Sequence, residues 1–529
     1  MLNKIIVNAY NLWIVVLVAI GTIGSAYGLA IIGSTVGQPN FYTFFDLAPQ
    51  GKPGYAHTTN MIAALNGINS AGAVVGCIIQ AWTSDFFGRK RTIQFGSAVL
   101  IVGGALCAGA VNMGMFLAGR CIAGVGSAVL ACVVPIYQAE VSTPETRGAM
   151  VAVTGIMYAV GYALAGWLGF ACYFIKPNSP IVTFSWRFPL AIQVLFPLIV
   201  LAGSPLIPFS PRWLLQQGRR QEALEIVKRL HKTRNSVNDV KARQEFYLME
   251  KQVEFDQSIT TRTFEICRTK PNRRRLLVAF LLMFGNQFLG VYVLANYGVL
   301  IYGSLGQGGS IPLLLNACWT TFTLIGNTWT AMYVDRFGRR ILLLIGAVGC
   351  LVSVIFLCAI TAEYFGTTYM PGLKAGVFFC FFFIFWWCFF MDATQYIYVA
   401  EIFPNNLRSQ GVAFGIGIFY LTSEVTLVAA PIALNSIEWK FYLVLIFPSA
   451  VYIVLLYFLF PETKNRTLEE IGVLFGDEAN VASQWYDITD EERERIAREA
   501  LRETEGGSGS DGSKEDEPKP IALHEEGPF

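Results

Sequence analysis

The chain has 529 residues, of which 54% are hydrophobic and only 14% are charged, and its mean hydropathy is +0.49. A soluble protein carries about 25% charged residues, so this composition excludes an ordinary soluble protein and favours one that crosses a membrane. The formal net charge of +2 excludes a strongly basic chain, and we expect no nucleic-acid partner.

Twelve apolar runs are long enough to cross a bilayer as helices. They lie at about 12–32, 58–82, 93–111, 113–138, 148–172, 187–208, 276–303, 310–334, 341–362, 373–399, 411–435 and 439–460. We therefore predict an all-α integral membrane protein with twelve transmembrane helices in two six-helix bundles. The predicted parts are an N-terminal bundle, a helical linker, a C-terminal bundle and a tail, at 1–208, 209–275, 276–460 and 461–529.

Lysine and arginine are concentrated on one side of the predicted membrane. The stretch 209–275 contains sixteen of them, and the loops with Arg89-Lys90-Arg91 and Arg339-Arg340 lie on the same side. Because basic loops tend to stay in the cytoplasm, we expect both termini and the linker to be cytoplasmic. We expect a multi-pass protein of the plasma membrane.

The linker and the tail contain further helix signals. Residues 222–230 and 241–255 each place apolar side chains on one face, which predicts short amphipathic helices under the bundles. A basic segment lying on anionic lipid is the alternative. Thr489 and Glu492 form a capping box that opens a charged helix through about Arg502, and a disordered tail is predicted from about Gly506.

The two bundles repeat one another in sequence. The stretch Asp85–Arg91 after the second run returns as Asp335–Arg340 after the eighth, 250 positions later. A second set of markers recurs at an offset of 261, pairing Tyr137, Glu140 and Arg147 with Tyr398, Glu401 and Arg408. The common order indicates two similar halves in tandem.

Cysteine and histidine show no pattern of a metal or catalytic site. The eleven cysteines include no CxxC pair, and ten of them lie inside apolar runs, where they act as small packing residues. The three histidines, His57, His231 and His524, are scattered outside the runs. We expect no metal, no cofactor and no enzymatic activity.

Taken in order, the motifs resemble the sugar porter family of the major facilitator superfamily over about residues 12–475. They are Asp85–Arg91, Gly119-Arg120, Pro135–Glu140, Arg147-Gly148, Pro208–Leu214, Asp335–Arg340, Ile397–Pro404, Pro461–Lys464 and Leu468-Glu469-Glu470. The run Gly33–Pro39 is similar to fungal members, such as hexose and lactose permeases. The resemblance implies a substrate path between the halves that opens alternately to each side.

The repeated charges are candidates for a gate at the cytoplasmic side. They form two sets, Asp85, Arg89, Glu140 and Arg147 in one half and Asp335, Arg339, Glu401 and Arg408 in the other. We expect these networks to close the halves when the cavity faces outward and to break when it faces inward. The alternative is that they anchor loops and fix topology.

The resemblance implies that amide and aromatic side chains bind the substrate hydroxyls. The candidates are Asn286, Gln287, Tyr292, Asn296 and Tyr396. Gly155 and Thr323 replace a glutamine and an asparagine that are usual in the family, so we expect a polar pocket of altered shape. For each candidate, structural hydrogen bonding between helices is the alternative.

Energy coupling departs from the pattern of proton-driven relatives, which have an aspartate on the first run opposite an arginine on the fourth. Arg120 is present, but Gly28 follows Tyr27 on the first run. Asp392 and Glu424 lie inside other runs, where a carboxylate costs about 2.5–3.5 kcal/mol on insertion scales. Either is a candidate coupling group, and hydration near an interface is the alternative.

The function expected from these features is transmembrane transport of a sugar or related polyol, by facilitated diffusion or proton symport. We favour facilitated diffusion because the expected aspartate is missing. The alternatives are a carrier of a non-sugar polyhydroxy acid or other small solute, and a transporter-like nutrient sensor. The expected partners are a small solute, the lipid bilayer and, in symport, protons.

Overall fold

The structure is a computed structural model, and it describes residues 9–48, 52–142, 147–175, 183–231, 265–364, 369–404, 407–464 and 468–476. It also describes residues 367 and 466 and scattered residues between 242 and 254. The predicted helix from Thr489 to Arg502 and the tail from Gly506 lie outside the described residues.

The N-terminal half contains six long helices, which we number as spans in chain order. They are Ala9–Val36, Tyr55–Phe86, Arg89–Ala108, Met113–Val141, Arg147–Tyr173 and Phe184–Gly203. A short helix, Pro39–Phe44, follows the first span. Its Phe41 is fully buried against Phe116 and Trp186, so it seals that end of the bundle.

The C-terminal half contains spans seven to twelve, and two of them are interrupted. They are Lys270–Phe288 with Val291–Ser304, Ile311–Phe337, Arg339–Tyr364, Met370–Trp386 with Asp392–Ile402, Arg408–Ser436 and Phe441–Leu459. The seventh span breaks at Gly290, whose φ of 97° suits glycine. The tenth span contains a π-helix, Trp387–Met391, a geometry that often marks functional sites.

Eleven of these spans, within the described residues, are long and apolar enough to cross a membrane. The remaining one, Ile311–Phe337, has 27 residues and a more polar composition. It buries Asn316, Thr320, Thr323 and Asn327, so its polar side chains face protein and not lipid. The predicted twelve-helix, all-α architecture is confirmed.

The two halves meet along two pairs of helices. The second span packs against the eleventh, and the fifth span packs against the eighth. Small residues allow this contact: a Cβ atom on Gly67 would collide with Val428, and one on Gly166 would lie 2.9 Å from the Ala317 Cα. The Trp167 Nε1 donates to Thr321 Oγ1 at 3.0 Å across the same seam. These contacts all lie away from the Arg89 and Arg339 loops.

The opposite end of the seam is open. Gly155 and Gly417 stand three residues before Tyr158 and Tyr420, and therefore on the same helix faces but nearer the basic loops. A Cβ atom at either glycine would meet nothing within 4 Å. The cleft between the halves therefore opens on the side of the basic loops.

The linker packs under the N-terminal half. The predicted helix at 222–230 is present within Arg220–His231, and Val227 packs with Trp213 and Leu214. Ala242 and Phe246 join this cluster, and the nine residues described within the predicted helix at 241–255 are all helical. Because Trp213 Nε1 donates to Asp85 O at 3.1 Å, the linker is tied to the loop after the second span.

Candidate functional site

The first charge network joins three segments of the N-terminal half. Arg89 begins the third span, and its side chain is only 8% exposed. Its Nε donates to Glu140 Oε1 at 3.1 Å, and its Nη1 lies 3.2 Å from Asp85 Oδ1. Ser210 Oγ donates to Glu140 Oε2 at 2.5 Å, which joins the segment after the sixth span to the same carboxylate.

The second network repeats two of these bonds in the C-terminal half. Arg339 Nε donates to Glu401 Oε1 at 3.2 Å, and Thr463 Oγ1 donates to Glu401 Oε2 at 2.7 Å. The neighbouring tyrosines match as well, since Tyr137 and Tyr398 each donate to a proline carbonyl at 2.8 Å, of Pro208 and Pro461. The repeat inferred from sequence is thus a repeat of hydrogen bonds.

All of these bonds join residues of the same half, so they brace each bundle and do not tie one bundle to the other. The side chains of Arg147 and Asp335 lie outside the described residues. Arg408 begins the eleventh span and is partly buried. Closure of the two halves by these networks therefore stays a prediction.

Glu462 has a role that sequence reasoning missed. Its Oε1 accepts from the backbone N–H of Arg339 at 2.9 Å, and its Oε2 accepts from that of Arg340 at 3.1 Å. The carboxylate thus caps the positive end of the ninth span. The signal was the acidic residue in Pro461-Glu462-Thr463-Lys464, where the matching position of the other half is Phe209.

A narrow cavity lies between the halves near the middle of the spans. Its lining comes from the first, second, fourth, seventh and eleventh spans: Leu29, Asn66, Asn69, Ser70, Arg120, Tyr292, Asn296, Phe419, Tyr420, Ser423 and Leu427. Two predicted binding residues, Tyr292 and Asn296, are in this set. The polar wall of the second span was missed, because its residues lie inside an apolar run and in no motif.

The Asn69 side chain is a strong addition to the candidate site. It is 3% exposed, and its amide has no hydrogen-bond partner among the described residues. Its neighbour Asn66 is already engaged, since Asn66 Nδ2 donates to Tyr297 Oη at 3.0 Å. Asn69 therefore offers both a donor and an acceptor to a ligand in the cavity.

The adjacent amides Asn286 and Gln287 differ in their partners. Asn286 Nδ2 donates to Gln395 Oε1 at 2.8 Å, and Asn286 Oδ1 accepts from Tyr452 Oη at 2.8 Å. Both of its polar atoms are thus bonded within the C-terminal half, which favours the structural role. Gln287 Oε1 accepts from Ser423 Oγ at 3.0 Å, whereas its Nε2 is buried without a described partner.

Aromatic rings line the cleft beside these amides. Phe419 packs edge to face on Tyr292 with ring centroids 5.2 Å apart, and its ring is 6.3 Å from that of Tyr396. Tyr292 Oη lies 3.4 Å from Tyr162 Oη of the other half. Tyr396 is 41% exposed although it lies near Tyr162, so it faces the cleft. Three of the five predicted binding residues therefore border the cleft or its cavity.

Arg120 projects into the cavity from the fourth span and is 2% exposed. Its Nη1 donates to Gly28 O at 2.7 Å, and its Nε donates to Leu65 O at 3.3 Å. A Cβ atom on Gly28 would collide with the side-chain amide of Gln193. The space that an aspartate would need at position 28 is thus filled from the sixth span.

The two mid-span acids occupy different settings. Asp392 follows the π-helix, and its Oδ2 accepts from Asn327 Nδ2 at 2.9 Å. Glu424 lies at the seam with the second span, beside Gly67, and its Oε2 is buried without a described partner. Asp392 is thus held by the eighth span, and it lies close to Tyr162 and Tyr396 of the cleft.

The comparison with protein families decides the affiliation. A sequence model described as "Sugar (and other) transporter" matches residues 14–475. The chain belongs to this family.

Three fungal transport proteins resemble the chain over most of its length. It is 29% identical over 455 residues to the MFS-type transporter criB of Aspergillus cristatus. The matched region covers 86% of this chain and 91% of that protein. It is 26% identical over 501 residues to the sugar transporter STL1 of Saccharomyces cerevisiae, covering 93% and 85%. It is 28% identical over 496 residues to a probable quinate permease of Aspergillus flavus, covering 88% and 89%.

Solved structures of the xylose transporter XylE from E. coli share the fold. The proton:xylose symporter bound to a bromodeoxyglucose matches with a TM-score of 0.72 at 22% identity, covering 88% of this chain and 99% of that chain. A partially occluded inward-open form matches with a TM-score of 0.70 at 18% identity, covering 86% and 100%. The major facilitator fold and the multi-pass membrane character of this family member are confirmed.

Proposed function

We propose that this sugar transporter family member carries a small polyhydroxylated solute across the plasma membrane by alternating access. Both termini and the linker lie on the cytoplasmic side in this proposal. The cavity between the halves carries the argument, because both halves contribute polar side chains to it. Asn69 of one half lines the cavity with an amide that makes no described hydrogen bond, and Asn296 and Ser423 of the other half line the same cavity. Hydroxyl groups of a solute would complete these bonds.

The shape of the cleft supports alternating access. The halves touch at one end, through Gly67 and Gly166, and separate at the other, beside Gly155. A rocking motion about the central cavity would exchange the two ends. The networks of Arg89 and Arg339 are then braces that let each half move as a body.

We infer facilitated diffusion as the mode, because Arg120 meets backbone carbonyls and not a carboxylate of the first span. Should protons be carried, Asp392 is the residue we propose for the task. It borders the cleft, and its described side-chain partners, Asn327 and Trp387, are both neutral hydrogen-bond donors. Glu424 is the second choice.

The test is uptake of labelled solutes by yeast cells that lack their own sugar carriers. The panel consists of glucose, xylose, glycerol, glucitol and quinate, with and without an uncoupler. We expect saturable uptake of at least one solute that stops at equilibrium and survives the uncoupler. Accumulation that collapses with the uncoupler, and is lost in Asp392→Asn while exchange persists, would replace diffusion by symport. Binding of a panel solute without any uptake would identify a sensor.

A further inference from the structure

The Arg120 guanidinium has an incomplete set of partners. Its Nε and Nη1 donate to the backbone carbonyls of Leu65 and Gly28, but its Nη2 has no hydrogen-bond partner among the described residues. The side chain borders the central cavity, and its Nη2 is accessible from that cavity. The free nitrogen therefore faces the space where a solute would lie.

The part of the chain that the structure describes supplies no carboxylate to this cation. Gly28 has no side chain, and Gln193 fills the adjoining space with a neutral amide. Asp392 is held by Asn327, and Glu424 lies at the seam beside Gly67. Among the described residues, the Cys107 thiol lies near Arg120, and Tyr292 and Tyr420 line the same cavity.

A buried cation inside a membrane protein needs a counter-charge or a water-filled cavity. Two carbonyl dipoles offset only part of the cost, and a planar guanidinium is suited to hold a carboxylate through parallel N–H···O bonds. Asn69, on the same cavity wall, adds a donor without a described partner. The cavity therefore combines a cation with neutral donors, a set that suits an anion bearing hydroxyl groups.

We propose that Arg120 is an anion subsite, and that the carried solute is a polyhydroxy carboxylic acid taken up as its carboxylate. This inference rests on the proposed transport function and specifies its substrate class. The carboxylate binds Arg120 Nη2 and the Asn69 amide. The hydroxylated body of the solute lies toward Asn296 and the rings of Tyr292 and Phe419, which border the same cavity.

Two matched pairs of probes test the subsite: glucuronate against glucose, and quinate against methyl quinate. The members of each pair differ chiefly in the carboxylate charge. Full-length protein in proteoliposomes is assayed for uptake of each probe, and purified protein for binding by calorimetry. We expect at least one acid to bind ten-fold or more tightly than its neutral counterpart. Its uptake should also produce a current, because a uniported anion moves charge.

The variants are Arg120→Gln, which removes the charge, and Arg187→Gln as a matched control. Arg187 lies in the same half, at the membrane face opposite the basic loops. Its Nη2 donates to Ala110 O at 2.9 Å. We expect Arg120→Gln to abolish the preference for the acid and Arg187→Gln to keep it. Comparing the two probes in the wild-type protein needs no variant, so a misfolded Arg120→Gln does not weaken the test.

The outcomes separate the two proposals. Uptake of glucose or methyl quinate with no preference for either acid would overturn the anion subsite and leave the transport function standing. An acid preference that persists in Arg120→Gln would also overturn it, because another part of the protein would then bind the carboxylate. Absence of binding and uptake for all four probes would overturn the subsite and the proposed transport of polyhydroxylated solutes together.

Discussion

Exchanging Asn286 and Gln287 for alanine, one at a time, should separate structure from substrate binding at two adjacent positions. Asn286→Ala leaves two buried groups unpaired, Gln395 Oε1 and Tyr452 Oη. At about 1–3 kcal/mol for each stranded group, the free energy of unfolding should fall by roughly 2–6 kcal/mol. Gln287→Ala leaves no group unpaired in this way, because the Ser423 hydroxyl can donate to Phe419 O, at 2.8 Å, instead.

The cost of Gln287→Ala should therefore appear in substrate affinity. Removal of an amide that binds a solute in a dry site costs about 1–3 kcal/mol, which corresponds to roughly a 5- to 150-fold rise in apparent KM. The assays are thermal unfolding of the purified protein and the concentration dependence of initial uptake. Asn286→Ala should lower Tm, and Gln287→Ala should raise KM with a Tm near wild type. An unchanged KM in Gln287→Ala would refute the reasoning and make Gln287 structural.

The remaining predictions concern orientation, the cleft and the helix cap. With the exposed Cys267 replaced by serine, an impermeant thiol reagent on intact cells should label Gly308→Cys but not Gln217→Cys, and equal labelling would contradict the cytoplasmic linker. Gly155→Trp should fold normally, because its Cβ meets nothing within 4 Å, yet should block uptake by filling the cleft; uptake at the wild-type rate would place the path elsewhere. Glu462→Gln should lower stability by about 0.5–2 kcal/mol in thermal unfolding at low salt, since it removes the charge that caps the ninth span, and an unchanged Tm would deny the cap that role.

The architecture could be predicted because its signals are local or periodic. Apolar runs set the spans, and the repeated loops of Arg89 and Arg339 set the two halves. The pairing of Arg89 with Glu140 was also accessible, because the same residue types recur together in both halves. The sequence could not show that these bonds stay within one half. The direction of each side chain depends on how the helices are rotated within their bundle.

The candidate site shows the same limit at single residues. Asn286 and Gln287 are adjacent amides in sequence, and only the fold shows that one faces the tenth and twelfth spans while the other reaches Ser423. Asn69 lies in an apolar run with no motif to mark it. Its importance depends on the eleventh and seventh spans closing over it, and these are contacts between distant parts of the chain.

The vacancy at Gly28 leads to a final prediction, because the sequence identifies the missing aspartate and the structure identifies what replaced it. Gly28→Asp alone should destabilise the protein, since its new side chain would collide with the Gln193 amide. Combined with Gln193→Ala, the new carboxylate gains room beside Arg120, whose Nη1 already donates to the carbonyl of residue 28. A double-mutant cycle in thermal unfolding should then show a favourable coupling of about 0.5–3 kcal/mol between the two changes. The same double variant should lose the preference for acid probes, because Arg120 would be neutralised from within the protein. Additive destabilisation with the acid preference intact would show that the space at position 28 does not communicate with the Arg120 charge, and it would remove the main physical link between the missing aspartate and the choice of substrate.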